Sequence, residues 1–184
     1  MSRGIVIAGA IAVLNCCALG AGSAGADDGA CAGAEDVADD ATVEQAVAAV
    51  LCLVNGERAQ HGLGPVRASG ALTRSAQAHS LDMVQRGYFS HVTPGGENPR
   101  QRVVQSGYAR KRGARTVGET IAWGSGGRGT PAELVRSFMG SAPHRRIVLD
   151  RRFRDVGIGL VAAAPVASVA GDCATLTIDF GRRR

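Results

Sequence analysis

Aromatic residues make up only 4% of this 184-residue chain, and lysine occurs once, at Lys111. The single Trp, two Tyr and four Phe form no series interleaved with basic residues. That argues against the stacking platform of a single-stranded nucleic-acid binder, so no nucleic-acid partner is expected. No Cys-x-x-Cys pair is present, which removes the usual zinc ribbon or dithiol redox centre. A His-Glu-x-x-His helix and a Gly-x-Ser-x-Gly nucleophile elbow are also missing. The glycine-rich Gly124-Ser125-Gly126-Gly127-Arg128-Gly129 lacks the Gly-Lys-Ser/Thr ending of a phosphate loop, so it reads as a connector. Basic residues are absent from Asp27 to Glu57, where eight acids fall.

What is there begins with an export signal. Arg3 gives a positive start, Ile5 to Leu19 an apolar stretch, and Ala24-Gly25-Ala26 a cleavage site. Residues 1–26 read as a signal peptide, and the protein as secreted. Its apolar stretch is short for a membrane span, and none is expected once the signal is removed. Cys16 and Cys17 leave a membrane-anchored lipoprotein as the alternative. The remaining residues, about 158, suit one domain. Within them, residues 27–41 are acidic and aperiodic, a disordered lead-in to a folded unit over 42–184. From Arg58 onward, 20 basic residues meet eight acidic ones; the plainest reading is a solvated basic surface, and the alternative is a surface that meets anionic wall polymers or lipid headgroups. Export permits a disulfide among Cys31, Cys52 and Cys173. Cys52–Cys173 is the expected pair, because Cys31 falls in the lead-in.

Periodicity places helices early and strands late. Thr42 with Gln45 forms a capping box ahead of an apolar stripe through Val43, Val47, Val50, Leu51 and Val54, ending at His61-Gly62. A second helix runs from about Ser69 to Gly87 with Leu72, Ala76, His79 and Met83 on one stripe, where His79 reads as a hydrogen-bonded core residue. Pro99 opens a short third helix and Thr130-Pro131-Ala132-Glu133 a fourth. Strand patterns cover 117–124, 156–161 and 174–180. Helices followed by strands imply an α+β fold with an antiparallel sheet.

One carboxylate interrupts the first strand, at Val117-Gly118-Glu119-Thr120-Ile121. A buried acid there requires a partner. His91 in Phe89-Ser90-His91 and His144 in Ser141-Ala142-Pro143-His144 both follow apparent helix ends. The reading is that His91, Glu119 and His144 line one cleft. Two imidazoles and a carboxylate are also the ligand set of catalytic zinc or another divalent cation. A serine hydrolase using Ser90 or Ser141 is a further reading. The plainest reading is that Glu119 tethers the rings and so joins three segments.

These motifs occur in a definite order: Asn55-x-x-Arg58 with Gly62-Leu63, Phe89-Ser90-His91, Gly118-Glu119-x-Ile121-Ala122, Ser141-x-Pro143-His144-Arg145, Gly157-Ile158-Gly159 and Asp179-Phe180-Gly181. Together, over residues 46 to 181, they resemble the CAP superfamily (cysteine-rich secretory, antigen 5 and pathogenesis-related-1 type) in its compact bacterial, SCP-like form. The resemblance implies a three-layer α-β-α sandwich with a central, mainly antiparallel sheet. It also implies a cleft in which His91, Glu119 and His144 take the family's first histidine, first glutamate and second histidine. The second glutamate has no counterpart here. Phe138 stands where a tryptophan is usual and Thr120 where an asparagine is usual. Function is read as a monomeric binding module for a lipid, sterol or cell-wall component, with divalent metal as a cofactor option. The alternative is an extracellular hydrolase, metal-assisted or serine-type.

Overall fold

A computed structural model describes residues 31–108, 114–166, 169 and 171–183. The expected signal peptide, with Cys16 and Cys17, lies outside them. Five helices appear in chain order: α1 (Val43–Gln60), α2 (Gly70–Arg86), α3 (Pro99–Gln105), α4 (Pro131–Gly140) and α5 (Ala142–Val148). The strands are β1 (Arg67–Ala68), β2 (Ala114–Ser125), β3 (Asp155–Val161) and β4 (Cys173–Arg183). They form one sheet in the order β1-β3-β4-β2, antiparallel except where β1 joins β3. The fold is α+β, as the pattern implied.

The sheet has two unlike faces. Along β3 and β4, Val156, Ile158, Leu160, Ala174, Leu176, Ile178 and Phe180 point one way. They pack with Val50 and Val54 of α1 and with Leu134, Val135 and Phe138 of α4 in the main core. The alternate positions are Gly157, Gly159, Thr175, Thr177 and Asp179, and they meet α2. A Cβ on Gly157 would lie 2.0 Å from the backbone of Leu72, and one on Gly159 2.2 Å from that of Gln77. Only glycine lets α2 lie this close to β3. Ser80 of α2 then donates to Gly159 O at 2.9 Å and bonds Thr177 Oγ1 at 2.8 Å.

Several local signals account for the elements. Asn98 and Gln101 form a full capping box on α3, and Thr130 caps α4 ahead of Pro131. Gly87 ends α2 at φ +66°, a left-handed position that suits glycine. Asn55 and Arg58 prove to be fasteners. Asn55 exchanges two hydrogen bonds with the Val66 backbone. Fully buried Arg58 donates to the carbonyls of Gly64, Val148 and Asp150, tying α1 to the connector and to the end of α5.

Four expectations need correction. The disulfide joins Cys31 to Cys52, with Cα atoms 5.7 Å apart, whereas Cys173 is buried and free. Cys173 alternates with Ala174 and so belongs to the α2 face, whereas α1 covers the opposite face; the sheet stands between Cys52 and Cys173. Cys52 follows Val50 by two residues, about 200° around the helix, and therefore turns outward from the core toward the preceding segment. Residues 31–41 are consequently not a free lead-in: the bridge anchors them and Ala38 is buried in the main core. Thr42 makes no capping bond to α1; its hydroxyl instead bonds Asp39 Oδ1 at 2.7 Å. His144 lies inside α5, a seven-residue helix without an apolar stripe to announce it.

Candidate functional site

Glu119 lies in β2 with its Cα opposite that of Asp179 in β4, on the sheet face that meets α2. Its side chain is 1% exposed, so both oxygens require partners. His91 Nδ1 lies 2.7 Å from Oε1, and Arg102 donates from Nη2 to Oε2 at 2.6 Å. Because the carboxylate can only accept, Nδ1 carries the imidazole proton in this pair. Nη1 of Arg102 donates to the carbonyls of His91 and Glu97 at 3.0 and 2.9 Å. One arginine thus neutralises the acid and holds the loop that presents His91.

His79 of α2 supports the same loop from behind. Its Nε2 lies 3.0 Å from the Ser90 carbonyl, which fixes the proton on that nitrogen, and 3.9 Å from Glu119 Oε1. His144 approaches from α5. Its ring centroid is 6.3 Å from that of His91 and 5.3 Å from Phe138, which meets it edge-on. Of the three residues singled out in the sequence, His91 and Glu119 are in direct contact, and His144 stands beside His91. Phe138, in the usual tryptophan position, serves as the apolar seat of His144.

The electrostatics separate two carboxyl groups that sit on one rung. Burial pushes Glu119 up, but the His91 hydrogen bond and the Arg102 charge outweigh it and hold the carboxyl below its ordinary range. Asp179 goes the opposite way. Burial first, and then the charge of Glu119, raise it well above the carboxylate range. Ser75 and Glu119 are near enough to influence Asp179, yet neither meets its oxygens at good hydrogen-bonding geometry. The two carboxyls are therefore pushed apart, Glu119 toward the ionised form and Asp179 toward the protonated one, the usual outcome for close like charges. His79 is lowered by burial despite the pull of Glu119, and His144 by burial and by its neighbour His91.

Metal chemistry can be tested against this geometry. Both Glu119 oxygens are occupied, and the Arg102 guanidinium lies where a cation would have to approach. Among the described residues, no group of three or more His, Cys, Asp or Glu is placed to hold a metal. The arrangement of His91, Glu119 and His144 does not fit a divalent cation as it stands. The candidate nucleophiles fare similarly. Ser90 Oγ accepts from the Val92 amide at 3.2 Å, and Ser141 precedes α5. Among the described residues, neither hydroxyl bonds an imidazole.

A cleft of about 420 Å³ opens beside this cluster, lined by His91, Asn98, Pro99, Arg100, Val117 and Ile147, with Glu119 at its base. His91 is 45% exposed there, and its second ring nitrogen has no partner among the described residues. Arg102 and Asp179 were not singled out from the sequence. The signal for Arg102 was indirect: a carboxylate in an apolar strand needs a cation, and a short arginine-bearing helix lies 17 residues upstream. Asp179 figured only as part of a terminal motif.

Comparison with known proteins agrees with this architecture. The model of the cysteine-rich secretory protein family, CAP, matches residues 51–169. "Uncharacterized protein YkwD" of Bacillus subtilis (strain 168) is 35% identical over 117 residues, covering 64% of this chain and 43% of that protein. The chain thus spans less than half the length of this relative. An extracellular protein containing an SCP domain from Bacillus anthracis str. Ames superposes with a TM-score of 0.63 at 22% identity, over 79% of this chain and 44% of that one. An outer surface protein from Borrelia burgdorferi gives a TM-score of 0.61 at 14% identity, over 73% of this chain and 90% of that one. At these identities the two structures speak to the fold alone.

Proposed function

Since the chain belongs to the cysteine-rich secretory protein (CAP) family, we propose that it is exported, with residues 1–26 removed, and acts outside the cell as a monomeric binding module. No helix among the described residues is long and apolar enough to cross a membrane. The ligand is an anionic group, a phosphate or carboxylate carried by a wall polymer or a lipid head. One observation carries this reading: Glu119 is satisfied internally by His91 and Arg102, so its charge does not reach the cleft. What remains at the mouth is the free nitrogen of His91, the Arg100 guanidinium and the Asn98 amide, beside the apolar Val117 and Ile147. That mixture suits an anionic head attached to a less polar body.

The test is co-sedimentation of the purified protein with peptidoglycan sacculi, with and without attached anionic polymer. Phosphatidylglycerol and phosphatidylcholine vesicles run in parallel. Retention on the anionic member of one pair, reduced about tenfold by the double change His91→Ala and Arg100→Ala, supports the reading and identifies the source. Equal retention on neutral and anionic matrices sinks it. Intact mass of the exported protein checks the cleavage, and acylation at Cys16 or Cys17 would convert secretion into anchoring.

A hydrolase reading draws on the same 2.7 Å contact, because a carboxylate that orients an imidazole is two-thirds of a nucleophile-base-acid set. It lacks a placed nucleophile. Turnover of an ester or peptide substrate that disappears in His91→Ala would establish it.

A further inference from the structure

We propose that the cleft between the outer face of α2 and segment 93–106 is a second binding site, one that takes a neutral, hydroxyl-rich saccharide. It encloses about 780 Å³, within the range of small-ligand sites and large enough for a disaccharide. It is separate from the His91 cleft and is lined by different residues: Arg102 lines this cleft and its partner Glu119 the other.

The floor carries the argument. Ser75, His79 and Arg102 line the cleft although they are only 3%, 1% and 7% exposed. Each has a buried polar atom with no hydrogen-bond partner among the described residues: Ser75 Oγ, His79 Nδ1 and Arg102 Nε. Such orphans are uncommon in folded proteins; Ser75 Oγ also lies near the Asp179 carboxyl, so His79 Nδ1 and Arg102 Nε are the two that point to an external partner. Their chemistry is mixed. Arg102 Nε–H can only donate. His79 Nδ1 can only accept, because Nε2 holds the proton against the Ser90 carbonyl. The Ser75 hydroxyl does either. A ligand that both donates and accepts from adjacent positions, as vicinal hydroxyls do, complements this set. A bridging water or a small side-chain rotation brings the floor atoms within reach.

The walls favour the same class. Ala78 is the sole apolar side chain in the lining; the remaining apolar surface comes from the stems of polar side chains, whose heads are placed to bond hydroxyls. Two of the three arginines in the lining are matched by carboxylates, and the other charged groups are held by neutral partners. Arg74 donates to the Ser106 carbonyl at 3.0 Å, Arg86 pairs with Asp82 at 3.4 Å, and Arg102 with Glu119. Glu97 accepts from Gln105 at 2.8 Å. Hydrogen-bonded Arg, Asp and Glu side chains of this kind readily bridge sugar hydroxyls, and inorganic phosphate is the control for the charge that Arg74 retains.

The test is a titration of the isotope-labelled protein, followed by amide shifts. The probes are a β-1,4-linked N-acetylglucosamine disaccharide, maltose and inorganic phosphate. Saturable shifts across residues 74–86 and 93–97 are expected with at least one saccharide and not with phosphate. Ala78 is exposed, so Ala78→Trp fills the cleft without entering the core. It should leave the melting temperature unchanged and weaken saccharide binding about tenfold or more. Ser75→Ala, which removes a floor hydroxyl, should weaken binding less. Absence of saturable shifts, meaning that ordered water alone satisfies the floor, overturns the site. So does unchanged affinity in Ala78→Trp, tighter binding of phosphate, or shifts confined to Asn98, Val117 and Ile147, which would move the sugar to the other cleft.

Discussion

The two faces of the sheet solve different problems with the same strands. The α1/α4 face is filled by branched and aromatic side chains, so its cohesion comes from burial of apolar area and tolerates modest changes in volume. On the α2 face, Gly157 and Gly159 remove the side chains altogether, and α2 sits almost backbone to backbone on β3. That close approach leaves room only for small polar groups on β4, with one carboxyl pair at its end. Functional chemistry gathers where packing is supplied by hydrogen bonds. Glu119, Asp179, His79 and Arg102 all belong to this face or its rim, and the apolar face contributes Phe138, as a seat for His144, and Ile147, in the wall of the His91 cleft.

The largest expected effect comes from closing the gap between α2 and β3. Gly159→Val would place atoms where the Gln77 backbone already lies, and should cost on the order of 5 kcal/mol or prevent folding. Its neighbour on the apolar face, Ile158→Val, should cost only about 1 kcal/mol. Urea denaturation of both variants gives the contrast directly. Similar losses would mean that the two faces do not differ as described.

Next in size is the buried ion pair. Arg102→Met leaves Glu119 ionised, buried and short of one partner, and should destabilise by about 3–5 kcal/mol. Adding Glu119→Gln to it should restore part of that loss, because the stranded charge is gone. A double-mutant cycle measures the coupling. If Arg102→Met proves silent, the cluster is not what holds the His91 loop.

Much of this was legible in the residues themselves. Alternation in 156–161 and 174–180 shows strands with one apolar face, and Gly157-Ile158-Gly159 carries the close approach of α2 in plain sight. The Thr130-Pro131 start of α4 and the Asn98-Pro99 start of α3 are local signals that tertiary structure did not override. What escaped depends on sheet register and facing. Asp179 matters because it lies opposite Glu119, a long-range pairing that no local pattern reveals. The disulfide escaped for the same reason, since nothing local shows that the sheet separates Cys173 from α1. His79 was read as a core histidine and is one, but its proximity to Glu119 appears only once α2 lies on the sheet.

The carboxyl pair makes the α2 face sensitive to pH in a defined direction. Asp179 faces Ser75 from α2 and Glu119 from β2, with the Arg102 charge also reaching it, and its folded pKa lies above the unfolded value near 3.9. Its contribution is therefore full below that value and is lost as pH rises through the raised folded pKa. His79, His144 and Glu119, all lowered, act in the opposite sense: stability falls as pH drops below about 6.5 through the histidines and then through the glutamate. Asp179→Asn should change little near pH 4 and stabilise by on the order of 1–2 kcal/mol near pH 8. Chemical denaturation at both pH values checks the sign. A gain that is equal at both would show that the proton on Asp179 is not at issue.

The smallest expected effect concerns an exception on the apolar face. Thr120 alternates with Glu119 along β2 and so points away from α2, toward the core that holds Ala122. It is fully buried, and its hydroxyl has no hydrogen-bond partner among the described residues. Valine has nearly the same shape and the same branching, and it replaces the stranded hydroxyl with a methyl group. Thr120→Val should therefore stabilise by about 1 kcal/mol, the lower end of the penalty for an unsatisfied buried polar group. The melting temperature should rise by a few degrees, with no change in ligand binding at either cleft. A loss of stability instead would mean that the hydroxyl is engaged by an ordered water, and that the apolar face contains a polar contact of its own.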